Sequence, residues 1–364
     1  MISLNSTAEH TESAETQKML NILAIDIGAG TQDIMVYNED TGFDNAYKLV
    51  LPSPTRFFAS EIRKSNEDLV IFGDTMGGGP FTRAVLEHLR KHRVYMTERA
   101  ARTLRDDLGI VRSHGIEIIS EGEVENMSEI ARPIRIADFN LGLLPLFSSF
   151  GMDTSFDVIA IAVQDHGVAP PGVTDRENRF QLIEEHVGKE IESFAYFDRV
   201  PENLSRMNAI FESVKQWHKG HILLMDTGPA AVLGSLEDER VKTKRKRTCI
   251  NVGNAHTIAM SLDETRIIGV FEHHTRYLDK QKLGYYMDKL SQGTITFKEV
   301  FDDGGHGASV TGENKPDIIS VTGPKRGKMK GLGIFSAPGG DMMMTGPVGL
   351  IRAVLSRSGR GGTV

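Results

Sequence analysis

The sequence predicts an α/β protein of two similar lobes that face a shared cleft. Apolar strands alternate with helical stretches along most of the chain, which is typical of α/β proteins with a mixed sheet. A length of 364 residues suits two domains. Two segments, 22–37 and 248–262, repeat one pattern of apolar strand, glycine turn and second apolar strand. This repeat indicates that the lobes share one architecture.

The first glycine turn carries groups that suit an anion. Residues 22–27 form a nearly continuous apolar run, as expected for a strand covered on both faces, and Asp26 interrupts this run near its end. A buried carboxylate is costly unless it meets a metal, a donor or water. Glycines in the turn let the backbone approach a phosphate closely. The glycines and the side-chain donors that follow Asp26 are Gly28, Gly30, Thr31 and Gln32.

The second glycine turn keeps the same order with different side chains. Asn251 stands where the first copy has Asp26. The candidate anion-binding residues after it are Gly253, Asn254, His256 and Thr257. Each copy taken alone is also compatible with an ordinary hairpin, since glycine turns are common.

Apolar periodicity predicts the remaining elements. Further strands are expected at 47–51, 67–72, 115–119, 157–163, 221–225, 266–271 and 317–321. Helices are expected at 81–108, 176–194, 201–218, 230–236 and 279–291, with a last helix after residue 341. The segment 121–150 shows little periodicity. The glycine loop 73–80 offers amides and a helix N-terminus to an anion, or it is a flexible turn before a helix.

Composition indicates which kinds of partner and which cellular compartment to expect. A formal charge of −7 argues weakly against nucleic acid as the main partner. The single cysteine, Cys249, lies in an apolar strand and is expected to be a buried small hydrophobe. The chain lacks an apolar run of about 18 residues and a signal-peptide pattern. We therefore expect a cytoplasmic protein that does not bind a membrane.

Five landmarks in order resemble the actin, Hsp70 and sugar-kinase ATPase superfamily. Residues 26–31 resemble its phosphate-1 motif, 226–231 its first connecting helix and 251–257 its phosphate-2 motif. Residues 321–326 resemble its adenosine motif and 341–353 its closing helix. This resemblance implies a ribonuclease H-like, actin-like ATPase fold with a duplicated βββαβαβα order. It also implies that ATP and Mg²⁺ bind between the lobes.

The resemblance also implies roles and boundaries. Asp26 would hold the metal, and the two glycine turns would clasp the phosphates. The adenosine motif and closing helix would add Thr322, Gly323, Lys325, Gly340 and Asp341. We expect a disordered segment at 1–19, a first lobe with insertions at 20–245, a second lobe at 246–356 and a flexible tail at 357–364.

Within this superfamily, the chain is similar to a family of mainly archaeal and bacterial proteins labelled as a pyruvate formate-lyase activating enzyme. That chemistry needs an iron–sulfur cluster held by several cysteines. One cysteine cannot hold such a cluster, so the sequence argues against the label. Asn251 also departs from the aspartate usual in the phosphate-2 motif, and this should weaken metal-linked affinity.

Asp165 and His166 end the strongest predicted strand, which places them at its carboxyl edge. They are candidates to serve an acceptor bound near the glycine loop 77–79, with Asp165 as base. Other histidines at strand ends or glycine turns are His256, His273, His274 and His306. They suit a divalent metal or acid–base work, although each taken singly is more often structural.

Three functional classes stay open at this point. The leading hypothesis is a Mg²⁺-dependent phosphotransferase or ATPase acting on a small molecule. The second is a nucleotide-dependent switch that signals to a protein partner with little turnover. The third is a metal-dependent enzyme that uses the cleft histidines. The sequence names neither the acceptor nor the oligomeric state.

Overall fold

A computed structural model describes residues 19–359 of the chain. The segment 1–19, predicted to be disordered, lies outside this range except for Met19. Residues 360–364 of the predicted flexible tail also lie outside it. Described strands are β1 (Asn21–Ile27), β2 (Thr31–Asn38), β3 (Tyr47–Pro52), β4 (Leu69–Gly73), β5 (Val94–Thr97), β6 (Glu117–Ile119), β7 (Arg132–Ile136), β8 (Val158–Val163), β9 (Tyr196–Phe197), β10 (His221–Met225), β11 (Lys246–Val252), β12 (His256–Asp263), β13 (Arg266–His274), β14 (Gly307–Val310), β15 (Ile318–Thr322) and β16 (Ile334–Phe335).

Helices alternate with these strands. They are α1 (Pro54–Lys64), α2 (Pro80–His88), α3 (Glu98–Ala101), α4 (Leu108–Ser113), α5 (Val124–Met127), α6 (Leu143–Ser149), α7 (Asp175–Glu184), α8 (Ser205–Lys215), α9 (Thr227–Ser235), α10 (Glu239–Lys242), α11 (Lys280–Ser291), α12 (Phe297–Asp302) and α13 (Thr345–Arg357). No helix within residues 19–359 is both long and apolar enough to cross a membrane.

Two large sheets share one strand order. The first runs β3-β2-β1-β8-β10, with β9 added at its edge beside β10. The second runs β13-β12-β11-β15-β16, with β14 added at its edge beside β13. In both, the first three strands are an antiparallel meander, and the first strand pairs in parallel with the fourth. The predicted duplicated ribonuclease H-like fold is therefore confirmed.

The two sheets enclose a helical layer. Helices α9 and α13 lie between them, and their apolar side chains share one core with both sheets, from Ile22 in β1 to Cys249 in β11. The outer face of the first sheet packs against α6 and α8, and that of the second against α11. The strands of the two large sheets fall on either side of residue 245, where the lobe boundary was predicted; the boundary itself stays a prediction.

Two glycines bring α9 and α13 into backbone contact. A Cβ atom on Gly234 would lie 1.8 Å from the Thr345 carbonyl oxygen, and one on Gly349 would lie 1.9 Å from the Ala230 carbonyl oxygen. The contacts are reciprocal, as expected for helices related by an internal two-fold. Only glycine permits this approach at either position.

A third sheet is inserted into the first lobe between β3 and β8. Its four strands are all parallel, in the order β6-β5-β4-β7, and they enclose a separate apolar core. The predicted single helix at 81–108 is wrong: α2 ends at His88, and the chain then forms β5. The poorly periodic segment 121–150 contains β7 and α6, and the helix predicted at 176–194 is only α7 followed by a 3₁₀ turn.

Candidate functional site

A cleft lies between the two lobes, with an empty volume of about 780 Å³ that includes space open to solvent. Both glycine turns, the end of β15 and the start of α13 line it. Sequence-predicted residues that line the cleft are Asp26, Gly28, Thr31, Asn251, Gly253, Asn254, His256, Thr322 and Gly323. The fold therefore brings together residues from both halves of the chain.

The two glycine turns have the same backbone geometry. In the first, the Gly28 amide donates to the Thr31 carbonyl at 2.9 Å. In the second, the Gly253 amide donates to the His256 carbonyl at the same distance, 2.9 Å. The duplication seen in the sheets thus extends to the turns at the cleft.

The turns meet at the mouth of the cleft. A Cβ atom on Gly30 would lie 2.6 Å from the Asn254 side-chain nitrogen, so any larger residue there would require the Asn254 side chain to move. The amides at the tips donate no hydrogen bond to any residue in the described part of the chain; they belong to Ala29, Gly30, Asn254 and Ala255. Several unused donors therefore converge from both lobes, as in anion-binding nests.

Two carboxylates face each other beneath the first turn. Asp26 pairs with Asp33 across the β1–β2 ladder. Thr227 donates to Asp26 at 2.5 Å, whereas Asp33 Oδ1 is buried and accepts no hydrogen bond within residues 19–359. Burial is the main cause that raises the pKa of Asp26 to about 7 and that of Asp33 to about 8. The main electrostatic influences on the pair are negative: Asp226 on Asp26, and Asp26 with Asp341 on Asp33.

A buried arginine joins the lobes behind this pair. Arg179, from α7, forms two hydrogen bonds to Asp226, at 2.5 and 3.0 Å, and two to Glu272 of β13, at 3.0 and 2.8 Å. Burial alone would raise the pKa of Glu272, but the guanidinium holds it well below its ordinary range. Because Glu272 belongs to the second lobe, we call Arg179 and Glu272 the interlobe ion pair.

A second pocket of about 980 Å³ adjoins the cleft and reaches the inserted sheet. We call it the acceptor-side pocket. Both Gly77–Gly79 and Asp165–Gly167 line it, so the fold unites these two predicted segments. Asp165 is buried, and its oxygens accept the amides of Gly167 and Met207, each at 2.9 Å. This carboxylate therefore joins the loop after β8 to the first turn of α8.

Three histidines converge where the cleft and this pocket meet. We call His166, His256 and His306 the histidine cluster; one ligand atom from each lies within 4.8 Å of the others. Burial lowers the pKa of His166 and of His306 to about 3, and it also lowers that of His256. The rings are therefore neutral at physiological pH. His274 adjoins His256 and His306 at ring-centroid distances of 4.9 and 4.7 Å.

Six predicted binding residues do not line the cleft, and one of them, Gly30, instead packs against Asn254 at its mouth. Gln32 donates to the Pro52 carbonyl and lies on an outer groove. Thr257 is buried against Thr275 at 3.0 Å. Asp341 caps the turn that precedes α13. Lys325 and Gly340 are exposed.

Sequence reasoning missed three groups at the site. Asp33 was detectable, because a hairpin that turns at Gly28–Thr31 must place it opposite Asp26. Arg179 carried no signal, since an arginine in an amphipathic helix is ordinarily exposed. Asp106 lines the acceptor-side pocket and lies in the stretch wrongly predicted as helix. Burial raises its pKa.

The chain is similar in fold to solved structures with which it shares little sequence identity. The complex of PilM with PilN, from type IV pilus biogenesis, matches with 13% identity and a TM-score of 0.38, over 92% of this chain and 99% of that one. A Bacteroides thetaiotaomicron protein with an actin-like ATPase fold matches with 8% identity and a TM-score of 0.35, over 93% and 96%.

A ROK hexokinase from Thermus thermophilus matches with 12% identity and a TM-score of 0.25, over 68% of this chain. The match spans about half of the hexokinase, 48% of its length. No curated protein sequence matches the chain. The family model described as "Putative pyruvate format-lyase activating enzyme (DUF1786)" matches residues 76–328. Because this match covers more than half of the chain, the protein belongs to that family.

Proposed function

We propose that the protein binds a nucleoside triphosphate, ATP, with Mg²⁺ in the interlobe cleft and transfers the terminal phosphoryl group to a small molecule or to water. The observation that carries this proposal is the meeting of two equivalent glycine turns, with unused amides, above the facing pair Asp26 and Asp33. Donors that converge from two lobes suit a chain of phosphates better than a single small anion. Catalysis would then consist mainly of positioning and charge neutralisation.

The paired carboxylates fit a hard divalent cation. Asp33 Oδ1 is buried without a hydrogen-bond partner among the described residues, and burial disfavours ionisation of both Asp26 and Asp33. Carboxylate oxygens are preferred ligands of Mg²⁺. When bound, the ion supplies positive charge to phosphate oxygens, while Thr227 orients Asp26 through its hydrogen bond.

The second lobe would hold the nucleoside end. Gly323 follows β15 with a φ of +94°, and a Cβ atom there would lie 2.5 Å from Asn251 Oδ1. The backbone after β15 can therefore pass close to the second turn, where Thr322 also lines the cleft. Met342 and Met343 line the same wall and offer apolar, adaptable contacts to a base.

The acceptor would enter through the acceptor-side pocket. Ala29 and His256 line both this pocket and the cleft, so an acceptor there would meet the terminal phosphate. We propose Asp106 as its base in preference to Asp165, because both Asp165 oxygens already accept backbone amides. Burial raises the pKa of Asp106, which makes its carboxylate a stronger base than an exposed aspartate.

The function assigned by the family description is not supported by these residues. A radical activase holds an iron–sulfur cluster through several cysteines. Cys249 is the only cysteine of the chain, and it is buried in β11. Burial also raises the pKa of this thiol to about 11, which disfavours the thiolate that a cluster requires.

The test is ATP binding and hydrolysis, with and without a panel of hydroxyl and carboxyl metabolites. Asp26→Asn should lower turnover by roughly 10²-fold while the melting temperature is retained. Asp40→Asn removes the same charge from an exposed turn of the same lobe and should change nothing. Failure of the wild-type protein to bind Mg·ATP would refute the proposal.

A nucleotide-dependent switch is the second candidate, and the interlobe ion pair favours it. Arg179 and Glu272 are both almost fully buried, so the lobes cannot separate there without exposing two charges. A ligand in the cleft would therefore shift the equilibrium between a closed and an open arrangement of the lobes. Tight ATP binding with negligible turnover across the metabolite panel would favour the switch over the phosphotransferase.

A further inference from the structure

The histidine cluster is assembled from three distant parts of the chain. His166 follows β8 in the first lobe, His256 opens β12 after the second glycine turn, and His306 precedes β14. The ring centroids are 4.9 Å apart for His256 and His306, 5.8 Å for His166 and His256, and 6.1 Å for His166 and His306. Nothing in local sequence spacing requires this convergence.

Two buried nitrogen atoms of the cluster make no hydrogen bond to any residue described by the structure. They are His256 Nδ1 and His306 Nδ1, of which the second has only Glu272 Oε2 nearby, at 3.6 Å. A buried polar atom without a partner is costly, so such atoms call for a ligand or water. Neutral imidazole nitrogens are the commonest protein ligands of transition metals.

We propose that the histidine cluster binds one divalent ion of the Zn²⁺ class, at the junction between the cleft and the acceptor-side pocket. Three protein ligands with a further open position are typical of catalytic rather than structural zinc sites. Three imidazoles without a carboxylate ligand favour such an ion over Mg²⁺, which prefers oxygen. This site is separate from the carboxylate pair proposed for Mg²⁺ and does not depend on nucleotide binding.

The required movement is small. Zn–N bonds of 2.0–2.1 Å in tetrahedral geometry place the nitrogens about 3.3 Å apart. The ligand atoms already lie within 4.8 Å of one another, so rotations of the rings and shifts of roughly 1 Å would close the site. His166 and His256 line the acceptor-side pocket, which leaves an acceptor access to the bound ion.

Glu272 lies where a carboxylate could orient a metal-binding histidine of the cluster. Its Oε2 lies 3.6 Å from His306 Nδ1, so His306 would bind the ion through Nε2 while Nδ1 faces this carboxylate, and both Glu272 oxygens accept from Arg179. Carboxylates beside ligating histidines orient the rings and raise their basicity. Because Glu272 is fixed by the interlobe ion pair, metal affinity should be coupled to the closed arrangement of the lobes.

The first experiment measures metal on the whole chain in the absence of nucleotide. The metal content of the purified protein is first determined by mass spectrometry. The protein is then stripped with chelator and titrated with Zn²⁺ by calorimetry and with Co²⁺ by visible absorption. We expect one tight equivalent. His166→Gln, His256→Gln and His306→Gln should each lower Zn²⁺ affinity by more than the 10–100-fold typical of an outer-shell loss.

Matched variants separate a ligand role from general damage. His186→Gln removes a buried histidine that contacts Ser193, outside the cluster, and should leave Zn²⁺ affinity unchanged. Glu272→Gln should lower affinity by about 10–100-fold without abolishing binding. His274→Gln tests whether the adjoining ring adds a fourth ligand, and an unchanged affinity would assign the site to three histidines.

X-ray absorption of the wild-type zinc protein needs no variant and therefore covers any variant that fails to fold. Imidazole nitrogens at 2.0–2.1 Å should dominate the first coordination shell. A wild-type protein that binds no stoichiometric Zn²⁺, or cluster variants that bind it as tightly as wild type, would overturn the proposal. Because no nucleotide is present, this outcome would leave the phosphotransfer proposal standing, and failure of ATP binding would leave the metal site standing.

Discussion

Replacement of Asp33 by asparagine tests the facing carboxylates most directly. Burial, followed by the charge of Asp26, raises the pKa of Asp33 from 3.8 to about 8. A carboxyl whose pKa is higher in the folded state stabilises the fold fully below its unfolded pKa and loses this effect as pH rises through the folded value. The wild-type protein should therefore lose stability between pH 3.8 and about 8.

The magnitude follows from this pKa difference. For an isolated group it corresponds to about 6 kcal/mol. Water in the cleft screens the charge, and Asp26 and Asp33 titrate as a pair, so we expect about 2 kcal/mol. Asparagine cannot ionise, so the unfolding free energy of Asp33→Asn should exceed that of wild type by about this amount near pH 9 and match it only below the unfolded pKa of 3.8, near pH 3.

Urea unfolding at both pH values measures this difference, because effects common to both proteins cancel. Mg²⁺ should recover the lost stability of wild type at high pH but leave Asp33→Asn almost unchanged, since a ligand stabilises only the state that binds it. Asp40→Asn is the control for charge removal alone. A difference that does not vary with pH, or equal stabilisation of both proteins by Mg²⁺, would refute the facing-carboxylate argument.

Four further predictions concern other parts of the fold. Gly349→Ala should destabilise the protein by about 2 kcal/mol or more in thermal unfolding, because its Cβ would meet a backbone oxygen at 1.9 Å. Gly284→Ala is the control: its Cβ would lie 3.7 Å from Leu332, so this change should be neutral or stabilising. Arg179→Gln should cost about 3–5 kcal/mol in urea unfolding, since it leaves two buried carboxylates unpaired. Asp165→Asn should lower stability by about 1–3 kcal/mol while Mg·ATP affinity stays unchanged; a selective loss of acceptor-stimulated turnover would instead restore Asp165 as base. Asn251→Asp should weaken nucleotide binding without Mg²⁺ and steepen its Mg²⁺ dependence, and calorimetric titrations that show neither change would remove Asn251 from the phosphates.

The repeated hairpins were predictable because glycine turns and continuous apolar strands are local signals. The β1–β2 and β11–β12 hairpins appear where the sequence placed them, and the sheet order follows from the resemblance they support. Strand β5 was missed because its four residues lie between two stretches whose apolar residues have helical spacing. Strand β14, with only four residues after a glycine loop, gave no signal either.

The candidate site likewise contains residues that local sequence specifies and residues that only tertiary packing brings together. Backbone turns and Asp26 were detectable because the sequence of one hairpin specifies them. Arg179, Glu272 and His306 meet only after three segments from two lobes have packed, and no local pattern encodes that proximity. Asp165 was correctly placed at a strand end, but its hydrogen bonds to Gly167 and Met207 depend on tertiary contacts.

The crossing of α9 and α13 restricts how the lobes can move. Gly234 and Gly349 place main-chain atoms against main-chain atoms, so no side-chain rotamers are available there to absorb sliding. Small relative motion must therefore be rotation about this crossing, which acts as a pivot between the sheets. Displacement under rotation grows with distance from the axis, so the glycine turns at the cleft mouth should travel farther than residues beside the crossing.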